Sequence, residues 1–575
     1  MEEPEIYRLR QLNLPAISTQ WQLVAVIMLI ALAPQAYKLI MPPVELTNGF
    51  ISDDTFYYLK TARNISAGLG STFDTINPTN GYHPLWMLVL SVLAMIPHSI
   101  LGFYYVALGA NLLLVAAVSL LVFIMFKDYL GVFLTGFLLV LMNGAYVSAQ
   151  ALFSGKETAL YILLLLLSIQ VLSNISFADR RKLLALSALF SLTFLARTEF
   201  ALFAPTFALY AGYKLATDNS LKLKEFVAGL PYLTIPFFVI VTPYLAWNRT
   251  QFGSFQQLSG LIKSREPSDT LESVSNFVHT LKVFGHTVYG AIEMRPTFAG
   301  VFMLAVVVLF GYVWVRGRGR LGFFADRRIV LLSLFALTVF AYYFVEFGAL
   351  RLRSWHLAVV YITAQILFVH AIRYTFLHFY RRVPIDWPPS VDLRNPRQAT
   401  LRLVGSSLSA ARKAPWIAVI LLLVLAMAAN HWVKTPYYRF AHRNSHIHYV
   451  APKPYQHFVS EWIRDNVPDE ATVGLDDAGY VGYFSDKKIV NLDGLANGRE
   501  FYWEYLERGR GVDQYIIDKK IDYVTDYYFG EPSLPQSPLL GPKLELVYNV
   551  GRSDIVRQGI ETFVDWYVWK VHHDR

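Results

Sequence analysis

A chain of 575 residues that is 54% hydrophobic and only 16% charged is too apolar for a soluble protein of this length, since soluble domains carry about a quarter charged residues. Its net charge of +9 does not mark a nucleic-acid binder, because the basic residues gather in short loops between apolar runs, the pattern that orients a chain in a bilayer. There is no cysteine, which excludes disulfides and thiolate metal sites.

The N-terminal MEEPEIYRLRQLNLPAISTQ is acidic and polar, unlike the basic start of a signal peptide. The run from Trp21 to Met41 has no small-residue cleavage site and is read as a retained first span. Apolar runs then recur at about 100–126, 131–150, 158–175, 183–196, 200–214, 227–247, 298–315, 329–347, 355–373 and 415–433, each of a length to be weighed against the roughly 30 Å hydrocarbon core. The fold class expected is a mainly α, polytopic membrane protein with about 11 transmembrane helices, juxtamembrane helices and a small C-terminal α/β domain outside the membrane.

Directly after the first span comes SDDTFYYLKTARNI, residues 52–65. Phe56, Leu59 and Ala62 recur every three positions, which suits a short amphipathic helix on the membrane surface. Ser52 or Asp53 as an N-cap accounts for one polar residue, while Asp53 and Asp54 are two carboxylates side by side. A carboxylate in a partly buried cavity can take the proton of an incoming hydroxyl, so both are candidate general bases.

In NPTNGYHPLW, residues 77–86, Pro78 and Gly81 make a turn and Pro84 opens a helix, with His83 just before it as a candidate phosphate or metal contact. The segment 84–97 is bracketed by prolines, and as a helix its 14 residues reach about 21 Å, short of a bilayer. Reading it as interfacial keeps the alternation of loops in register. DRRK (179–182), KLATDNSLKLK (214–224), RGRGRLGFFADRR (316–328) and the stretch 373–414 then share the cytoplasmic side with the N-terminus. The acidic pair faces outside.

SGKET, at 154–158, reads first as a capping box of Ser154 and Glu157, with Lys156 as an out-of-place cation. LARTEF puts Arg197 and Glu199 at a break between two apolar halves, where ionisable residues are functional candidates by default. In the stretch leaving the span at 227–247, Arg249, Gln256, Gln257 and Lys263 offer polar contacts. ALRLRSWHLAVVY places Arg351 and Arg353 on the outer side, followed by Trp355 and His356. Guanidinium forks two residues apart suit the oxygens of a phosphate, and equally suit interfacial anchoring. Beyond Trp432 the long apolar runs stop. ATVGL, KIVNL, DYVTDYY, LELVYNV and FVDWYVWKV alternate with helix-like YQHFVSEWIRDN and REFYWEYLERG, which predicts a small α/β domain. Residues 1–433 are thus expected to be the membrane part, with a first outer loop of about 42–99, and 434–575 the outer domain.

DDTFYYLKTARNI, GYHPLW, SGKETALY, LARTEF and LRSWHLAVVY together resemble the motifs of the GT-C class of polytopic glycosyltransferases that use lipid-phosphate sugars. The aminoarabinose-transferase-like and arabinofuranosyltransferase-like branches are the nearest in flavour, the latter also through DDAGYVGYFSDKKIVNLDGL at 476–495. The resemblance implies an inverting transferase of the plasma (inner) membrane that moves a sugar from a polyprenyl-phosphate donor to a hydroxyl of a glycan, lipid or protein acceptor. It implies Asp53 as the catalytic carboxylate and Asp54 as its acidic neighbour. It implies His83 and Arg351 or Arg353 at the donor phosphate, with Arg197 a further candidate there. Lys156, Glu157, Glu199, Trp355, His356 and Lys263 are carried as substrate-binding positions. No cofactor is firmly implied. A divalent cation on Asp53, Asp54 and His83 is compatible with their ligand types. No WWD-type motif follows the last span, which argues against transfer of a whole oligosaccharide to asparagine. The rival reading from another class is a polytopic transporter or flippase, whose charges belong near the bilayer midplane.

Overall fold

The structure is a computed structural model that describes residues 17–47, 51–97, 99–217, 223–264, 326–347, 355–380, 453–528, 531–550 and 565–574. The expected spans at 298–315 and 415–433 lie outside the described residues, as do Arg351 and Arg353.

The helical part follows the apolar runs with shifted ends. Ile100–Leu130 is one helix of 31 residues; Ser99 caps it by accepting the Gly102 amide at 3.0 Å, and Gly131, at φ 86°, ends it. The expected run 131–150 breaks in two, Val132–Gly144 and Tyr146–Leu152, because Ala145 takes extended backbone angles. Arg180–Ala196 is capped by Asp179 through the Lys182 amide. After Arg197 a short 3₁₀ turn, Thr198–Leu202, leads into Phe203–Thr217, so the break expected at LARTEF is present. Leu223–Phe252 runs for 30 residues with Pro231, Pro236 and Pro243 inside it. Ile100–Leu130 and Leu223–Phe252 are, among the described residues, the two helices long and apolar enough to cross a bilayer by length and composition.

Pro84–Leu93 is a helix of ten residues, about 15 Å long. Trp86, Met87 and Leu90 are buried on one side, while Leu88, Val92, Met95 and Ile96 are exposed on and just beyond it. That two-sided division is what an interfacial helix needs.

The five β-like stretches near the C-terminus form one sheet: β1 (Thr472–Leu475), β2 (Lys488–Asn491), β3 (Tyr523–Tyr528), β4 (Leu544–Val550) and β5 (Asp565–Val571). The order is β2-β1-β3-β5-β4, parallel around β1 and antiparallel at β3-β5-β4. The period of two sorts the side chains. Val473, Leu475, Ile489, Trp566 and Val568 face one core, and Val490, Val524, Trp569 and Val571 face the other. Helix Lys453–Asn466 packs on the first through Val459 and Ile463. REFYWEYLERG forms a π-helix, Phe501–Glu507.

Tyr57 and Phe73, from the segment after the first helix, belong to that same first core. The sheet domain is therefore built around helix Asp54–Ser66 rather than merely resting near it. Phe56 meets Tyr480, Tyr483 and Phe484 on the next face of the helix. Lys60 and Arg63 both pair with Asp486, at 2.8 and 3.1 Å. Backbones come close enough here to require glycine. A Cβ on Gly479 would overlap the Asp53 carbonyl, and one on Gly81 would overlap the Leu495 carbonyl.

Candidate active site

The ends of these elements enclose a cleft of roughly 520 Å³, counting the open space at its mouth, between the 51–83 segment, the 153–157 turn, the 254–263 segment and Trp355–His356. Helix Asp54–Ser66 forms one wall. Asp54, Tyr57 and Tyr58 line the cleft, because positions three and four apart lie on the same face of a helix.

Asp53 does not reach it. Its Oδ2 accepts the Gly479 amide at 2.6 Å and its Oδ1 the Tyr480 amide at 2.8 Å. It thus caps helix Gly479–Phe484 of the sheet domain, while making no side-chain cap on its own helix. Burial and the nearby Asp477 push the Asp53 carboxyl above the usual carboxylate range, against those two N–H donors. Tyr57 ties the same domain down. Its hydroxyl accepts from the Ala478 amide and from Asn491, and faces Asp493.

Asp54 is different in kind. Its side chain is 27% exposed, with Lys156 Nζ at 3.5 Å and Lys263 Nζ at 3.9 Å from Oδ2. Burial alone would raise its pKa, but the charges of Lys263, Lys156 and His356 outweigh burial and hold it well below the usual carboxylate range. Lys156 is buried, and its ammonium also lies 3.0 Å from the centre of the Trp355 ring. Burial pulls Lys156 down to about 7, with Asp54 and Glu157 resisting.

Deeper in the wall is a second charge group. Arg197, at the break between two helices, donates to Glu157 Oε1 at 3.1 Å, to Glu199 Oε2 at 3.0 Å, to the Trp355 carbonyl and to Tyr343. Tyr343 also hydrogen-bonds Glu199. Glu157 is the residue before helix Thr158–Ser173, yet its side chain makes no cap bond. The expected capping box is not formed. The Ser154 hydroxyl oxygen accepts the Lys156 amide instead of that of Glu157, and the Glu157 carboxylate turns to Arg197. A buried cation with two carboxylate partners outweighs one helix cap, because a lost partner would leave a charge unpaired in a low dielectric.

His83 sits between these groups. Its amide donates to the Tyr58 hydroxyl, Gln257 Nε2 faces its Nδ1 at 3.2 Å, and its Nε2 lies 3.8 Å from Glu157 Oε1. Burial pulls the ring down to about 4, so it is neutral at pH 7. Donation from the Gln257 amide to Nδ1 leaves the ring proton on Nε2, facing Glu157.

Residues 445–568 match the model of a family described as a domain of unknown function, DUF8728. No curated protein matches the chain. The apo crystal structure of ArnT from Cupriavidus metallidurans is similar over 97% of this chain and 99% of its own, at 14% identity and a TM-score of 0.50. The same protein bound to undecaprenyl phosphate matches over 96% and 98%, at 14% identity and a TM-score of 0.49. The Archaeoglobus fulgidus oligosaccharyltransferase, solved with a tethered acceptor peptide containing an NVT sequon, matches over 88% of this chain and 69% of its own, at 11% identity and a TM-score of 0.45.

The chain has the GT-C fold.

In this GT-C fold the cleft gathers Asp54, His83, Lys156, Glu157, Arg197, Lys263, Trp355 and His356 from the candidates named in the sequence. Glu199 is behind the wall, bound to Arg197. Asp53 is turned to the sheet domain. Asp53, Asp54 and His83 therefore do not converge on a cation. Among the described residues no group of three or more His, Asp or Glu is placed to hold a metal ion. Tyr58, Tyr82, Ser259 and Leu495 line the cleft without having been singled out, and Tyr343 supports it from behind. Tyr58 had a signal, being four residues after Asp54 and so on the same helical strip. Leu495 had none, since it arrives from the sheet domain 441 positions away from Asp54 (495 − 54).

Proposed function

We propose that this protein is an inverting glycosyltransferase that moves a sugar from a polyprenyl-phosphate donor to an acceptor hydroxyl on the outer face of the membrane. The observation that carries the reading is a carboxylate open to a cleft, Asp54, set against two lysines rather than a fixed partner. Asp54 takes the proton of the acceptor hydroxyl as its oxygen bonds to the anomeric carbon. The bond from that carbon to the phosphate oxygen breaks, and its electron pair leaves with the lipid phosphate, held by Lys156 and Lys263. A donor phosphate competes with Asp54 for both ammonium groups. The competition returns basicity to a carboxylate they otherwise hold in its ionised form. The charges are fixed before the reaction, which is where electrostatic catalysis gains most. The other carboxylate of the pair, Asp53, is occupied by two amides and does not line the cleft.

A transporter or flippase is the competing reading. It fits less well, because the charged cleft lies at helix ends and against the sheet domain instead of among mid-helix positions. Purified protein incubated with a labelled polyprenyl-phosphate sugar and a panel of hydroxyl acceptors is expected to give labelled acceptor and free polyprenyl phosphate. Movement of intact donor across proteoliposomes with no covalent product would overturn the reading in favour of transport.

The proposal includes a topology: cytoplasmic N-terminus, an interfacial 84–97 segment, and cleft and sheet domain outside, in the plasma (inner) membrane of a cell with a lipid-carrier pathway. The chain has no cysteine, so single replacements report cleanly. Leu69→Cys and Lys182→Cys, both at exposed positions, are expected to label from opposite sides with a membrane-impermeant maleimide. Labelling of both from one side would refute the arrangement.

A further inference from the structure

Glu157 has one buried carboxylate oxygen that no protein group among the described residues binds in good geometry. Oε1 accepts from Arg197, and Oε2 makes no hydrogen bond of ordinary geometry among the described residues, the Tyr58 hydroxyl interacting with the carboxylate from beside it, although the residue is only 3% exposed. A buried carboxylate oxygen without a donor is costly and is seldom retained unless something fills the position. Glu157 lines the cleft directly after Lys156 in the chain, and Tyr58 and His83 stand beside it.

We infer that Glu157 Oε2 receives a hydroxyl of the donor sugar and so fixes the orientation of the ring beside Asp54. The inference rests on the transfer reading above and adds to it a residue that determines which sugar is used. The chemistry of the wall selects the ligand group. A carboxylate repels the donor phosphate, which belongs with Lys156 and Lys263 on the Asp54 side. It attracts a neutral O–H, and a hydrogen bond from hydroxyl to carboxylate is short and stronger than one between neutral groups. The sugar is covalently joined to the phosphate, so a ring anchored by phosphate on the lysine side places its hydroxyls within the same small cleft. Arg197 cannot take the role, because its guanidinium is already shared by Glu157, Glu199, Tyr343 and the Trp355 carbonyl. Arg197 instead holds the Glu157 carboxylate in place, so that its free oxygen is oriented before any donor arrives.

The test is a double-mutant cycle between the protein and the donor. Wild type and Glu157→Gln are assayed with the parent donor and with donors lacking one sugar hydroxyl at a time. Gln keeps an oxygen for Arg197 and places an NH₂ group where Oε2 stood. For one hydroxyl position, wild type is expected to lose about 10- to 100-fold in kcat/KM, the range of one charge-assisted hydrogen bond. Glu157→Gln is expected to lose no more than about threefold at that position, since the partner is already gone. A purely structural role would lower activity with every donor equally and leave the effect of removing a hydroxyl unchanged. That additive result overturns the assignment, as does non-additivity that appears only when acceptor hydroxyls are removed. If Glu157→Gln does not fold, Glu157→Asp, which keeps the charge but withdraws it by one methylene, enters the same cycle with the same criterion. Wild-type protein that transfers sugar from no donor refutes the transfer reading and this inference with it; wild-type transfer with additive losses refutes the Glu157 assignment alone.

Discussion

Asp54→Asn is expected to lower turnover by about two to four orders of magnitude, the range of a lost general base, with folding and donor binding retained. The amide keeps the size of the carboxylate and an oxygen for Lys156, so the wall of the cleft stays in place. What it loses is the group that can take a proton. Asp53→Asn provides the contrast. Its oxygens hold the Gly479 and Tyr480 amides, and the variant keeps one oxygen for them, so its expected effect is weaker attachment of the sheet domain. That effect appears as easier proteolysis, or as reduced thermal stability in detergent, with residual turnover well above that of Asp54→Asn. A folded Asp54→Asn protein with near-wild-type turnover refutes the assignment, and a more severe catalytic loss in Asp53→Asn would move the base to that residue. The pH profile separates them further. The lysines and His356 lower the Asp54 pKa relative to an unfolded chain, so its interaction with them is present above the ordinary carboxylate range and is lost as pH falls through the folded value.

Arg197→Ala is expected to be the most destabilising single change at the site, costing about 3–5 kcal/mol, the cost of breaking a buried ion pair from one side. Arg197, Glu157 and Glu199 are all nearly inaccessible in their side chains, at 4%, 4% and 6% exposure. Removing the guanidinium takes a donor at once from two carboxylates, the Trp355 carbonyl and the Tyr343 hydroxyl. The loss reaches the cleft as well, since Trp355 is the ring on which the Lys156 ammonium rests. Arg197→Lys keeps the charge but cannot span four acceptors with a planar fork, and is expected to fall between wild type and Ala. Thermal unfolding in detergent, followed by a probe of the helical part, measures the series. An Arg197→Ala protein within about 1 kcal/mol of wild type would show that the carboxylates are satisfied by other means, since one buried unsatisfied group already costs that much.

Much of this was legible in the chain alone. The apolar runs marked the helices, because a helix in or against a bilayer must carry its apolar surface in its own sequence. The prolines around 84–97 limited that segment to a short helix, and Pro84–Leu93 is shorter still. The short β-like stretches around 472–475, 488–491 and 565–571, alternating with helix-like ones, marked strands, since β-branched and aromatic residues suit a pleated, half-buried surface. Charges in unexpected places, at Asp54, Lys156, Arg197 and His356, were visible because isolated ionisable groups at helix ends are costly without a partner.

The division of labour between Asp53 and Asp54 was decided only by tertiary structure. Neighbours on a helix point about 100° apart, so two adjacent carboxylates are equivalent in sequence and opposite in environment once each side has a neighbour. For Asp53 that neighbour is helix Gly479–Phe484, more than four hundred positions on, and for Asp54 it is Lys156 and Lys263. Glu157 carries the same lesson. Its spacing from Ser154 fits a local cap, and the local pattern lost to Arg197, forty residues away, because pairing a buried charge is worth more than closing one helix end. Sequence fixes which groups are present and how strongly each needs a partner; where several partners would serve, the packing of distant elements chooses among them.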